Sequence, residues 1–183
     1  INMDLMKPIN ISSDKLAPEN PFTAVEMGKL WATYVGNSMS HKILLYFLKH
    51  VEDEDIKTLL ENGLALTVNF MQTIEKFLKK EDFPIPVGFT KEDVNLGAPR
   101  LFEDQFYVHY LKYAAKAGMS LYGIAIPLVM REDIREFFIH CNETTTILLG
   151  QINNVLIEKG YIMRPPTIPV PKKVDFIKKE NYL

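Results

Sequence analysis

A chain of 183 residues with a formal charge of −2 lacks the basic excess of a nucleic-acid binder. Its hydrophobic share of 47% suits a globular domain with one full core, and no apolar run reaches the ~18 residues of a membrane span. The single cysteine, Cys141, excludes an internal disulfide and fits a reducing compartment.

No signal peptide opens the chain, which begins at Ile1 without a methionine, as a fragment or a trimmed chain would. Residues 1–20 hold Pro8, Asn10, Pro18 and Asn20 without a hydrophobic period and predict an extended arm. "FTAVEM" then announces a helix: Thr23 and Glu26 form a capping box, with Phe22 and Met27 at the staple positions. Leu30, Trp31, Tyr34, Leu45 and Leu48 carry the period to about Val51, a length of ~42 Å. After a short turn capped near Asp53, a second helix places Ile56, Leu59, Leu60, Leu64, Phe70, Met71, Ile74, Phe77 and Leu78 on one side.

Beyond Lys80 the stretch "EDFPIPVGFTKEDVNLGAPR" forbids a continuous helix through its prolines and glycines. A third helix is predicted from about Leu101 to Met130, with Pro127 bending or ending it. Its inward face reads as Leu111, Ala114, Gly118, Leu121 and Ala125. A fourth runs from about Arg131 to Lys159 and stops at Gly160. The remainder, residues 161–183, is a proline-rich strap or linker.

Connection lengths choose the topology. The tight joints between helices 1 and 2, and 3 and 4, make two antiparallel hairpins. The link between helices 2 and 3 can extend ~66 Å, enough to travel the length of the bundle. The expected fold is therefore an all-α, ferritin-like four-helix bundle over residues 21–160, with one long crossover.

Bundles of that kind often hold two irons through Glu-x-x-His motifs. Here the second helix has no histidine, and the fourth has the reversed His140-x-x-Glu143. The candidates for a non-standard iron or zinc site are Glu136, His140 and Glu143, with Asp133 one turn earlier, and Glu26 on the first helix. For each a plainer role is available: the capping box for Glu26, and a solvated charged face for the others. His109 shares a face with Gln105, Lys112 and Lys116, so it is expected at the surface. His41 reads as a satisfied interior histidine, and His50 as a partner for the first helix's C-terminal dipole. Cys141, in register with Ile134, Phe137 and Phe138, reads as a buried small hydrophobe. Phosphate-loop, dinucleotide, nucleophile-elbow and Cys-x-x-Cys motifs are missing, and no catalytic residues or cofactor are predicted.

The phrases "FTAVEMGKLWATYVGNSM", "FPIPVGFTKEDVNLGAPRLF", "KAGMSLYGIAIPL" and "RPPTIPVPKKVDFIKK" resemble a family of uncharacterised, ferritin-like proteins of spore-forming bacilli, some labelled spore-coat-like. The likeness spans about Ile11 to Leu183. It implies a helical bundle, longer members with tandem copies of the unit, and no assigned activity. Relatives often have a histidine near the position of Phe70, so the resemblance supplies no metal ligand on this helix. Three readings follow. The leading one is a non-enzymatic module, cytoplasmic or spore-associated, whose partners are proteins or a second copy of itself. A metal-binding protein is the first alternative. The second is an apolar small-molecule binder, with room left by Gly63 and Gly118.

Overall fold

The computed structural model describes residues 20–170 and residue 172. Four helices, α1 (Ala24–His50), α2 (Glu54–Lys80), α3 (Asp104–Ala125) and α4 (Glu132–Glu158), form a four-helix bundle, with no strand among the described residues. The arm expected over residues 1–20 lies almost wholly outside the described residues, as does most of the strap beyond residue 170.

Local chemistry fixes the helix ends. Thr23 and Glu26 make the complete capping box, and Asp53 Oδ1 accepts from the Asp55 and Ile56 amides at 3.0 and 3.1 Å. α2 and α4 end alike, in a left-handed residue: Asp82 at φ 55° and Gly160 at φ 70°. In each case the next amide reaches back to close the last turn, Phe83 to the Leu78 carbonyl and Tyr161 to the Leu156 carbonyl, both at 2.9 Å. α3 is shorter than predicted. It starts at Asp104 because Pro99 and Leu101 are held by Tyr46, and it ends at Ala125 because Pro127 has no amide to continue the ladder. A 3₁₀ turn, Ile126–Leu128, follows.

The bundle consists of two antiparallel hairpins, α1 with α2 and α3 with α4, joined by one long crossover. α2 also packs on α4 and α3, whereas α1 meets α3 only loosely. The crossover lies along α1. Gly88, at φ 62°, sits so close to Ser38 that a Cβ there would lie 2.5 Å from its Oγ, and the Phe89 amide donates to that same Oγ at 2.9 Å. Further on, Tyr46 Oη donates to the Pro99 carbonyl at 2.7 Å, and Arg100 pairs with Glu52 at 2.7 Å. Ser38 and Tyr46 are buried for this reason.

Two apolar clusters stack along the bundle. One gathers Leu30, Phe70, Ile74, Phe137 and Phe138, and the other Leu44, Phe47, Leu60, Leu111 and Leu148. Each such side chain contributes about 1.5–3 kcal/mol on burial. Two sequence expectations fail here. Trp31 is 41% exposed, and on α3 the inward residues are Tyr107, Val108, Leu111, Ala115, Tyr122 and Ala125, while Leu121 is 58% exposed. α3 is apolar over more than half its circumference, so its period alone does not choose which stripe faces in.

Candidate functional site

The metal candidates do not converge. Glu136, His140 and Glu143 are exposed on α4, and Asp133 turns away from them to pair with Arg131. Glu26 is fully buried with every acceptor position engaged. Its Oε2 takes the Thr23 amide at 2.8 Å and hydroxyl at 2.9 Å, and its Oε1 takes the Met130 and Arg131 amides at 2.9 and 2.8 Å. A carboxylate offers about four lone-pair sites, so none is left for a metal ion. Burial opposes ionisation, but the Arg131, Thr23 and Met130 amides outweigh it and hold the carboxyl below its ordinary value. Among the described residues no three His, Cys, Asp or Glu side chains form a metal-binding group.

Arg131, which the sequence reading treated only as a helix start, is the charged centre of this end. It is 1% exposed and bonds Asp133 through Nε and Nη2 at 3.1 and 2.8 Å. Its Nη1 donates to the Asn20 carbonyl at 2.9 Å and to Glu81, and its plane lies 4.5 Å from the Phe22 ring centre. One guanidinium therefore joins the entry to α1, the end of α2 and the start of α4. The two aspartate bonds dominate in raising its pKa, so it stays charged at any ordinary pH.

The other titratable residues divide between expected and unexpected places. Cys141 is buried, and burial pushes its thiol pKa up, as a packing residue requires. His109 is half-buried rather than free at the surface: its Nε2 lies 3.0 Å from the Tyr161 carbonyl, and since a carbonyl only accepts, that nitrogen carries the hydrogen. It ties α3 to the start of the strap. His41 departs from the satisfied interior histidine expected, because its buried Nδ1 has no hydrogen-bond partner among the described residues, and burial, helped by Lys42, lowers its pKa. His50 packs against Tyr46 with ring centres 4.7 Å apart and planes tilted by 54°.

Where α1 and α3 part, a groove of about 240 Å³ reaches the bundle centre. Ala32, Gly36 and Ser40 form one rim and Ala114, Ala117 and Leu121 the other. Thr33, Asn37, Thr67, Tyr122 and Thr145 contribute polar groups to its interior. Asn37 Nδ2 donates to the Thr33 carbonyl at 2.8 Å and to Tyr122 Oη at 3.3 Å. Burial raises the Tyr122 pKa to about 12, so the phenol remains protonated. These residues were missed, although a signal existed: Thr67 lies between Gly63 and Phe70, and Thr145 between Cys141 and Leu148, each a polar residue in an apolar register. Beside the groove, the outer face of α3 and the turn after it carry Phe106 (44% exposed), Tyr113 (67%), Ile124 (55%) and Leu128 (48%).

The architecture defines a class: a two-hairpin helical bundle with an apolar centre, in which, among the described residues, the polar groups of the central groove are hydroxyls and an amide rather than acids and histidines. Residues 11–174 match the family described as protein of unknown function DUF3231, and the chain belongs to that family. The fold is similar to that of a solved structure named as a "putative spore coat protein" of Bacillus halodurans C-125, with a TM-score of 0.76 and 19% identity over 84% of this chain and 99% of that one. It is also similar to a conserved hypothetical protein of Mycobacterium tuberculosis, with a TM-score of 0.61 and 10% identity over 74% of this chain and 100% of that one.

Proposed function

We propose that this protein is a non-enzymatic helical module that works by association, in a setting like that named for its Bacillus neighbour. The observation that carries the reading is the second apolar stripe of α3. Phe106, Tyr110, Tyr113, Ala117, Leu121 and Ile124, with Leu128 in the turn that follows, recur at intervals of four, three, four, four, three and four, an 11-residue spacing that keeps one face of a helix apolar along its length. A helix that is apolar on its inner face and again on its outer one lacks a partner on the outer side. A seam of this kind fits a helix, and the same helix of a second copy presents a matching seam around a two-fold axis. No helix among the described residues is long and apolar enough to cross a membrane.

Light scattering over a concentration series tests the reading. The wild type is expected to dimerise, and Tyr113→Glu with Ile124→Glu to remain monomeric with an unchanged helical spectrum, since both side chains are exposed. A wild type that stays monomeric throughout would remove the proposal. The iron or zinc alternative has little support: it loses Glu26 to its four hydrogen bonds and is left with Glu136, His140 and Glu143 on an exposed face.

A further inference from the structure

We propose that the groove between α1 and α3 is a binding site for a small, uncharged molecule about the size of a substituted ring, carrying one hydroxyl or carbonyl group. Charge is the first discriminator. Among the described residues no acidic, basic or imidazole side chain lines the groove, so an ionic ligand would lose its hydration with no counter-charge there. Size is the second. A dry protein cavity of ~150 Å³ holds benzene, and the 240 Å³ here admits a ring with a substituent.

The polar group follows from hydroxyls that the fold leaves unused. Thr33 is 8% exposed and Thr145 5%, both line the groove, and neither hydroxyl has a hydrogen bond among the described residues. Neither belongs to the sealed, unpartnered atoms of the interior, so both reach the groove wall. The Tyr122 hydroxyl accepts from Asn37, and its own proton has no acceptor among the described residues. Thr67, by contrast, spends its hydroxyl on the Leu64 carbonyl at 2.8 Å. Unused donors and acceptors, each on a side chain more than nine-tenths buried, thus face one small space. Hydroxyls that open onto the groove would be hydrated while it is empty, and a ligand's oxygen would take the place of that water.

Glycines keep the space open. A Cβ at Gly36 would meet nothing within 4 Å, whereas one at Gly118 would lie 3.3 Å from Tyr122 Oη and crowd the phenol. Gly36→Leu therefore sets a bulky side chain on the exposed rim of the groove without a clash at its Cβ, at a helical position where leucine is the better helix former.

Phenol, toluene and benzoate serve as probes, followed by calorimetry and by the shift in melting temperature. Phenol is expected to bind saturably, toluene more weakly and benzoate not at all. Thr145→Val should weaken phenol about fivefold and leave toluene unchanged. Gly36→Leu should abolish both responses while its ligand-free melting temperature holds or rises. Absence of saturable phenol binding, equal binding of phenol and toluene, or an undiminished response in Gly36→Leu would each overturn the proposal. Because Ala117 and Leu121 belong to both the α3 stripe and the groove rim, the probes are run on Tyr113→Glu with Ile124→Glu as well as on the wild type, so that binding is read with and without the seam and failure of one reading is told from failure of the other.

Discussion

Each end of the bundle joins the α1–α2 hairpin to the α3–α4 hairpin through one arginine, but in different surroundings. Arg131 is 1% exposed, and its partners Asp133 and Glu81 are 23% and 17% exposed. Arg100, at the opposite end, is 26% exposed and pairs with Glu52 and Glu103, which are 75% and 87% exposed. Half-buried Asp104 adds a link there, meeting Arg100 at 3.0 Å and accepting the Glu52 and Asp53 amides at 3.0 and 2.7 Å, and Lys159 reaches Asp53 and Asp55, both at 2.8 Å. An ion pair open to water exchanges one set of good contacts for another when broken. A buried one leaves its partners stranded. The same residue type is therefore a fastening at one end and a trimming at the other.

Arg131→Leu should break that contrast most visibly. Removing the guanidinium leaves Asp133 and Glu81 facing each other and frees the Asn20 carbonyl, an expected cost of about 3 kcal/mol in urea unfolding. A loss no larger than that of Arg100→Ala would erase the distinction. Glu26→Gln comes next, at about 2 kcal/mol, because the amide keeps one acceptor oxygen and turns an NH₂ group toward backbone donors. This variant also carries a pH signature. A carboxyl whose folded pKa is depressed contributes stability that is complete above its unfolded value of 4.5 and is lost as pH falls through the folded value. The gap between wild type and Glu26→Gln should accordingly narrow in acid, and a gap constant with pH would mean the charge is irrelevant. Arg100→Ala and Lys159→Ala should have the smallest effects, shrinking further in high salt, where exposed charges are screened. Chemical unfolding with and without added salt measures both.

How much of this could be read beforehand depends on sequence distance. The capping box at Thr23 and Glu26, the stop at Gly160 and the long link between the hairpins are local features, and the spacing of a few residues carries them. The full task of Glu26 is not local: it caps α1 and also holds the Met130 and Arg131 amides, 104 and 105 residues away. α3 failed for another reason. With apolar residues at both Leu121 and Tyr122, only the positions of α1 and α4 decide that Tyr122 goes in and Leu121 stays out. The groove was foreshadowed by Gly63 and Gly118, but its polar wall needs Thr33, Asn37, Thr145 and Tyr122 from three helices.

The span of the Arg131 contacts also sets when they can form. Each hairpin closes over a short loop, whereas the bond from Arg131 to Asn20 joins residues 111 apart and that to Glu81 joins residues 50 apart. Loop-closure entropy must be overcome before such contacts add stability, so local hairpins form first and this cluster locks late. A contact absent from the transition state governs escape from the folded state rather than arrival at it. Arg131 is in that sense a latch: the chain finds its fold without it and keeps its fold because of it.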